Sequence, residues 1–101
     1  MPILVVLAAS LLAFPAAAAQ QGVTSGPYPA CTSEAKFKAA TQAFKAGDEQ
    51  KFNSIGGCVI TKPGLKLTVL SAGKAASKVE LFSPAGKGMV VWTDNKNIVR
   101  R

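Results

Sequence analysis

The stretch that decides the fold runs from Cys58 to Arg101 and reads CVITKPGLKLTVLSAGKAASKVELFSPAGKGMVVWTDNKNIVRR. Apolar and polar residues alternate in short segments there, and turns rich in Gly, Pro, Asn and Asp separate the segments. This pattern is typical of consecutive β-strands, and it predicts four or five of them. Because so little chain carries these strands, we expect them to close on themselves into a small barrel.

The predicted strands follow from the alternation, and the turns between them follow from the Gly, Pro and Asn residues. The segment 89–93 is the most hydrophobic, so we expect it to be the central strand. The polar segment 94–97 has the composition of a turn or of a single turn of 3₁₀ helix. The strands are predicted at 58–61, 65–70, 78–81, 89–93 and 98–99, with a hairpin loop at 71–77 and a turn at 83–88.

Residues 31–57 change to a helical period. A first helix is predicted to begin at a cap provided by Thr32 or Ser33 and to end at Gly47. A second, shorter helix, DEQKFNSI, follows with Asp48 as its cap. Each helix carries Phe on its apolar face, which indicates a helical hairpin that packs on the strands.

Cys31 and Cys58 are the two cysteines of the chain. The helical hairpin returns the chain towards its starting point, so Cys58 is expected close to Cys31. In an oxidising compartment such a pair forms a structural disulfide. The chain has no His, and two thiolates alone cannot fill a zinc shell, so we expect no metal site and no cofactor.

Residues 1–19 read as a signal peptide. They form an uncharged, apolar run that ends in Ala17, Ala18 and Ala19, which predicts cleavage before Gln20. A retained membrane anchor is the alternative, because no Lys or Arg precedes the run. We therefore expect a bacterial periplasmic or secreted protein without stable membrane insertion after cleavage. Residues 20–30, rich in Gly, Pro and Ser, are predicted to be a flexible tether.

The net charge is +7, and all charged residues follow the predicted signal peptide. Such a charge attracts anionic partners, either a component of the cell envelope or another exported protein. Export makes nucleic acid an unexpected partner. The alternative is that the lysines only keep a small domain soluble and its sheet edges apart. The sequence leaves the oligomeric state open.

The order of elements over residues 64–99 resembles the bacterial SH3-like domains, small five-stranded barrels of exported proteins. The resemblance rests on Pro63-Gly64-x-x-Leu67-x-Val69, Lys78-Val79-x-Leu81, Gly86-x-Gly88, an aromatic strand and Ile98. It implies a binding module directed at cell-wall peptides or at another exported protein. Trp92 does not stand where these domains place their aromatic residues, so no ligand site is carried over.

The fold class expected is α+β: an N-terminal helical hairpin packed on a small five-stranded SH3-like β-barrel with one disulfide. Residues 31–57 would form the hairpin, residues 58–101 the barrel, and residues 31–101 one folded unit. Trp92 either anchors the core or, on the opposite face, binds a ligand. If Lys66, Lys78 and Lys87 gather round an exposed Trp92, they form a patch for an anionic ligand.

No catalytic group stands out. Because the chain has no His, neither a catalytic Cys–His pair nor a Ser–His–Asp triad can be assembled. The adjacent carboxylates Asp48 and Glu49 are explained by helix capping. We therefore predict a non-enzymatic binding or adaptor module. Two alternatives stay open: an inhibitor of an exported hydrolase that uses the loop 71–77, and a structural subunit of an envelope assembly.

Overall fold

The computed structural model describes residues 20–101, and the predicted signal peptide lies outside this range. This part of the chain contains seven strands, two α-helices and one turn of 3₁₀ helix. The strands are β1 Gln20–Thr24, β2 Pro29–Cys31, β3 Cys58–Ile60, β4 Lys66–Ser71, β5 Ala76–Phe82, β6 Gly88–Asp94 and β7 Ile98–Arg100. The helices are α1 Glu34–Ala46 and α2 Glu49–Ile55, and the 3₁₀ turn is Asn95–Asn97.

All seven strands belong to one antiparallel sheet with the order β3-β2-β6-β5-β4-β1-β7. The strand in the middle is β5, so the prediction that 89–93 is central is wrong. In β5 and the adjoining part of β4, buried residues alternate strictly with less buried ones. The period-two pattern of the sequence therefore located these strands correctly.

The predicted five-stranded closed SH3-like barrel is wrong, because the sheet is open and has seven strands. The two additional strands, β1 and β2, come from the segment 20–30 that was predicted to be a tether, together with Cys31. They also precede the helices, so the helical hairpin does not open the folded unit. The tether prediction failed because strand pairing satisfies backbone groups and does not require apolar side chains.

Gly22 shows why this polar segment fits into the sheet. A Cβ atom at Gly22 would lie 2.6 Å from the carbonyl oxygen of Val99. The residue therefore permits β1 to approach β7 more closely than a larger residue would allow. A glycine that suggests flexibility in the sequence serves close packing here.

The main core lies on one face of the sheet. Leu67 and Leu81 face each other across β4 and β5, and Val79 faces Val91 across β5 and β6. The buried members of this core are Ala30, Leu67, Val69, Val79, Leu81 and Val91, with Leu65 and Ile98 packed against them. Because β2 and β7 both contribute to a single cluster, the sheet must curl around this core.

Asn97 links the two edges of the curled sheet. This buried side chain donates from Nδ2 to the hydroxyls of Thr61 and Thr93, both at 3.0 Å, and accepts from the Gly26 amide at 2.7 Å. Thr61 follows the edge strand β3, and Asn97 precedes the edge strand β7. The two edges of the sheet thus meet at one corner through side chains and not through a backbone ladder.

The helices begin and end where the sequence places them. The Ser33 side chain accepts from the backbone of Lys36 at the start of α1, and Gly47 ends this helix in the left-handed region at φ 69°. The Asp48 side chain accepts from the amide of Lys51 at the start of α2. The predicted helical hairpin is confirmed because its capping signals are local.

The disulfide between Cys31 and Cys58 is confirmed. The two residues lie directly opposite each other on β2 and β3, with their Cα atoms 4.1 Å apart. This spacing is typical of a pair that shares no ladder hydrogen bonds. The bridge therefore joins the strand residues that flank the helical hairpin, Cys31 at the end of β2 and Cys58 at the start of β3.

Candidate binding surface

Trp92 is half-buried on the face of the sheet that the helices cover. Together with Phe52, Ile55 and other residues, it packs against a second core formed by Cys31, Phe37 and Ala40. Thr93 and Val91 point to the opposite face and into the main core. The indole therefore holds the helical hairpin on the sheet and is not the centre of an open patch.

Of the three lysines considered as a possible patch around an exposed Trp92, Lys78 is its neighbour, and Lys66 and Lys87 lie elsewhere. Lys78 lies directly opposite Trp92 on β5. Lys66 lies next to Phe82, because Leu67 pairs with Leu81, and this places it about 13 Å further along the sheet. Lys87 precedes β6 in the turn at the same far end.

The far end of this face carries a groove that the helices leave uncovered. It has a volume of about 820 Å³, and Lys66 and Arg101 are its charged residues. Val23 and Phe82, both half-buried, add apolar surface. We call this site the basic groove; it is lined by residues 21–23, 64–68, 82–84, Gly86 and Arg101.

Sequence reasoning found Lys66 but missed the other members of the basic groove. Phe82 could have been found, because it continues the alternation of β5 beyond Leu81. Val23 could not, since no local signal shows that β1 lies between β4 and β7. Arg101 comes to the groove because its amide donates to the carbonyl of Gln21, 3.0 Å away.

Positive charge is concentrated in the strand-rich second part of the chain. Residues 58–101 contain eight basic and two acidic residues, a net charge of +6. Residues 20–57 contain four basic and three acidic residues, a net charge of +1. The sheet region that carries the basic groove therefore dominates the attraction for anions.

A second groove of about 630 Å³ lies between β3 and the helical hairpin. Asp48 and Glu49 are its charged residues, and no Lys or Arg lines it. Its apolar surface includes Phe44, Val59 and Ile60, which are 38%, 46% and 39% exposed. We call this site the edge groove; it is lined by Ala43, Phe44, residues 47–49, Phe52, Asn53 and residues 58–60.

The Asn95 side chain forms hydrogen bonds to the loop between β4 and β5, residues 72–75. The Asn95 amide donates to the carbonyls of Gly73 and Lys74 at 2.8 and 3.1 Å, and its oxygen accepts from the Ser77 hydroxyl. Ser77 in turn accepts from the amide of Gly73. The predicted hairpin loop therefore has hydrogen-bond partners for Gly73 and Lys74 in its middle.

Neither a cation site nor a membrane span is found between residues 20 and 101. No three His, Cys, Asp or Glu side chains gather closely enough there to hold a metal ion. Neither α1 nor α2 has the length and apolar character needed to cross a bilayer.

Comparison with known families, curated proteins and solved structures finds no match to this chain. The relation of residues 64–99 to SH3-like domains therefore stays a prediction. The closed barrel that the resemblance implied is wrong, because the sheet is open.

Proposed function

We propose that this protein is an exported, non-enzymatic binding module that holds an anionic component of the cell envelope. The observation that carries the proposal is the basic groove, which opens on the most positively charged region of the chain and whose charged lining residues, Lys66 and Arg101, are both basic. Anionic groups are drawn to such a surface over distances of about 10 Å at moderate salt.

The groove offers two kinds of contact to one ligand. The Lys66 ammonium and the Arg101 guanidinium provide charge and hydrogen-bond donors, and guanidinium matches phosphate or carboxylate oxygens in pairs. Phe82 and Val23 provide apolar surface beside these donors. The ligand class that fits is a phosphate-bearing or carboxylate-bearing polymer or headgroup with apolar neighbours.

The disulfide is compatible with the exported location that is part of the proposal. Disulfides persist in oxidising compartments such as the periplasm and the extracellular space, and they are rare in the cytosol. The Cys31–Cys58 bridge is compatible with export. A periplasmic or secreted location is part of the proposal and rests additionally on the signal-like residues 1–19.

Co-sedimentation tests the proposal with two anionic surfaces as probes: isolated cell-wall sacculi, and vesicles of phosphatidylglycerol and phosphatidylcholine. We expect retention on at least one of them at about 50 mM salt and release at about 500 mM, since screening shortens the reach of charge. The two probes distinguish a wall polymer from a lipid headgroup. Absence of retention on both would overturn the proposal.

Two double variants with equal net charge locate the interaction. Lys66→Glu with Arg101→Glu removes the cations of the basic groove, and we expect retention to fall by about tenfold. Lys38→Glu with Lys45→Glu changes the exposed face of α1 by the same charge, and retention should stay near that of the unchanged protein. Equal losses in both variants would show that net charge alone drives binding.

A second candidate function is inhibition of an exported hydrolase. The braced loop 72–75 favours it, because a loop held by Asn95 loses little conformational entropy when it enters an active site. Hydrolysis of sacculi by a panel of wall hydrolases, measured with and without excess protein, tests this candidate. Unchanged rates across the panel would remove it.

A further inference from the structure

The edge strand β3 presents unpaired backbone groups to the edge groove. Thr61 donates to the carbonyl of Tyr28, and Thr32 donates to that of Gly57. In an antiparallel pair, the backbone N–H and C=O groups of successive residues point alternately towards and away from the partner strand. The backbone groups of Val59 point towards β2, and those of Cys58 and Ile60 therefore point outward. Within residues 20–101 no backbone hydrogen bond reaches Cys58 or Ile60 from this outer side.

The two edges of the sheet differ in how they are protected. Natural edge strands are usually guarded by charged residues, proline or a bulge against pairing with other chains. The edge strand β7 follows this rule, because it carries Arg100 and is followed by Arg101. The edge strand β3 reads Cys-Val-Ile, and its Val59 and Ile60 side chains are exposed.

The groove beside β3 has the chemistry to receive an extended chain. Phe44, Phe52 and Ile60 supply apolar surface for alternate side chains of an added strand. Asp48 and Glu49 place negative charge on the same groove, although the chain as a whole is strongly positive. Charge complementarity therefore selects a basic occupant.

We propose that β3 and the edge groove form a docking site for an extended, apolar and basic segment of another exported protein. That segment adds to the sheet as an eighth strand beside β3. Its backbone pairs with the outward groups of Cys58 and Ile60, its apolar side chains enter the groove, and a Lys or Arg reaches Glu49. This site is separate from the basic groove, so the protein can hold two partners at once.

Three blocked heptapeptides probe the site: Lys-Thr-Val-Thr-Val-Thr-Lys, the same sequence with Glu at both ends, and the Lys peptide with N-methylated Val residues. Backbone amide NMR of the protein purified after expression of the full chain reports the binding. We expect the Lys peptide to shift the amides of Cys58 and Ile60 most. It should bind at least about fivefold more tightly than the N-methylated peptide, which cannot complete the strand pairing.

The Glu peptide and two charge variants complete the design. We expect the Glu peptide to leave the β3 amides unchanged. Glu49→Lys should weaken binding of the Lys peptide by about fivefold, and Glu34→Lys, which makes the same change outside the groove, should leave it unchanged. Both substitutions are on exposed helix positions, so folding is retained.

Three results would overturn the inference. The first is an absence of shifts on β3 with the Lys peptide, and the second is equal binding of the N-methylated peptide. The third is a set of β3 shifts that depend on protein concentration without peptide, which would assign the edge to a second copy of this chain. Loss of anion binding at the basic groove affects none of these readouts, so the two proposals fail independently.

Discussion

At the scale of single residues, the buried Asn97 side chain joins Ser25, Gly26, Thr61 and Thr93 in one hydrogen-bonded network. Its side chain donates two hydrogen bonds, to the hydroxyls of Thr61 and Thr93, and accepts from the amides of Ser25 and Gly26. All four hydrogen-bonding positions of the amide group are therefore used in a buried site. A buried network that is fully satisfied specifies one arrangement of the surrounding segments.

Asn97→Ala should lower the free energy of unfolding by about 3 kcal/mol, because it leaves the Gly26 amide and two threonine hydroxyls without this partner. Chemical denaturation followed by Trp92 fluorescence measures the change. Asn53→Ala, the same substitution at an exposed position of α2, should cost less than about 0.5 kcal/mol. Similar losses in both variants would show that the Asn97 network does not hold the sheet edges together.

At the scale of elements, the helical hairpin depends on the bridge at its base. The Cys31–Cys58 disulfide closes a sequence separation of 27 residues. The hairpin contributes few large buried side chains of its own: Phe37 is buried on α1, and α2 contributes no buried residue. The bridge therefore compensates for a small second core.

Replacement of both cysteines, Cys31→Ala with Cys58→Ala, should lower the free energy of unfolding by about 3 to 4 kcal/mol through the larger freedom of the unfolded chain. Thermal melting of the variant, compared with the oxidised protein, measures this loss. A reducing agent should lower the melting temperature of the unchanged protein. It should not change the melting temperature of the double variant, which has no disulfide to reduce. A variant as stable as the oxidised protein would contradict this account.

At the scale of the whole molecule, the segment that looks like a tether completes the sheet. β1 lies between β4 and β7 and pairs with both. Without β1, the edge strand β7 would have no neighbour in the sheet, and Ile98 would lose its place against the main core. The stability of the molecule therefore depends on residues whose composition suggests disorder.

Deletion of residues 20–24 should abolish cooperative unfolding, since it removes a strand with partners on both sides. Circular dichroism during thermal melting gives the measurement. Gln20→Ala with Gln21→Ala keeps the backbone of β1 and alters only exposed side chains, so its melting temperature should change by less than about 3 °C. A deletion variant that melts like the unchanged protein would restore the tether interpretation.

The sequence alone determined the features whose causes are local. Ser33, Gly47 and Asp48 mark the helices through capping, the alternation along β4 and β5 marks those strands, and the two cysteines mark their own pairing. Among the candidate site residues, it identified Lys66 as exposed and basic.

Only the tertiary structure decided which strands are neighbours. The pairing of β1 with β4 joins residues more than 40 positions apart in the sequence, for example Val23 and Lys66. No local pattern in the Gly- and Pro-rich segment predicts this partner. The same long-range pairing brings Val23 to Lys66, and Arg101 joins them through Gln21 of β1. The order of the strands also leaves β3 as an open edge. Both grooves are therefore products of strand order, because backbone hydrogen bonds between distant segments leave no periodic trace in the sequence.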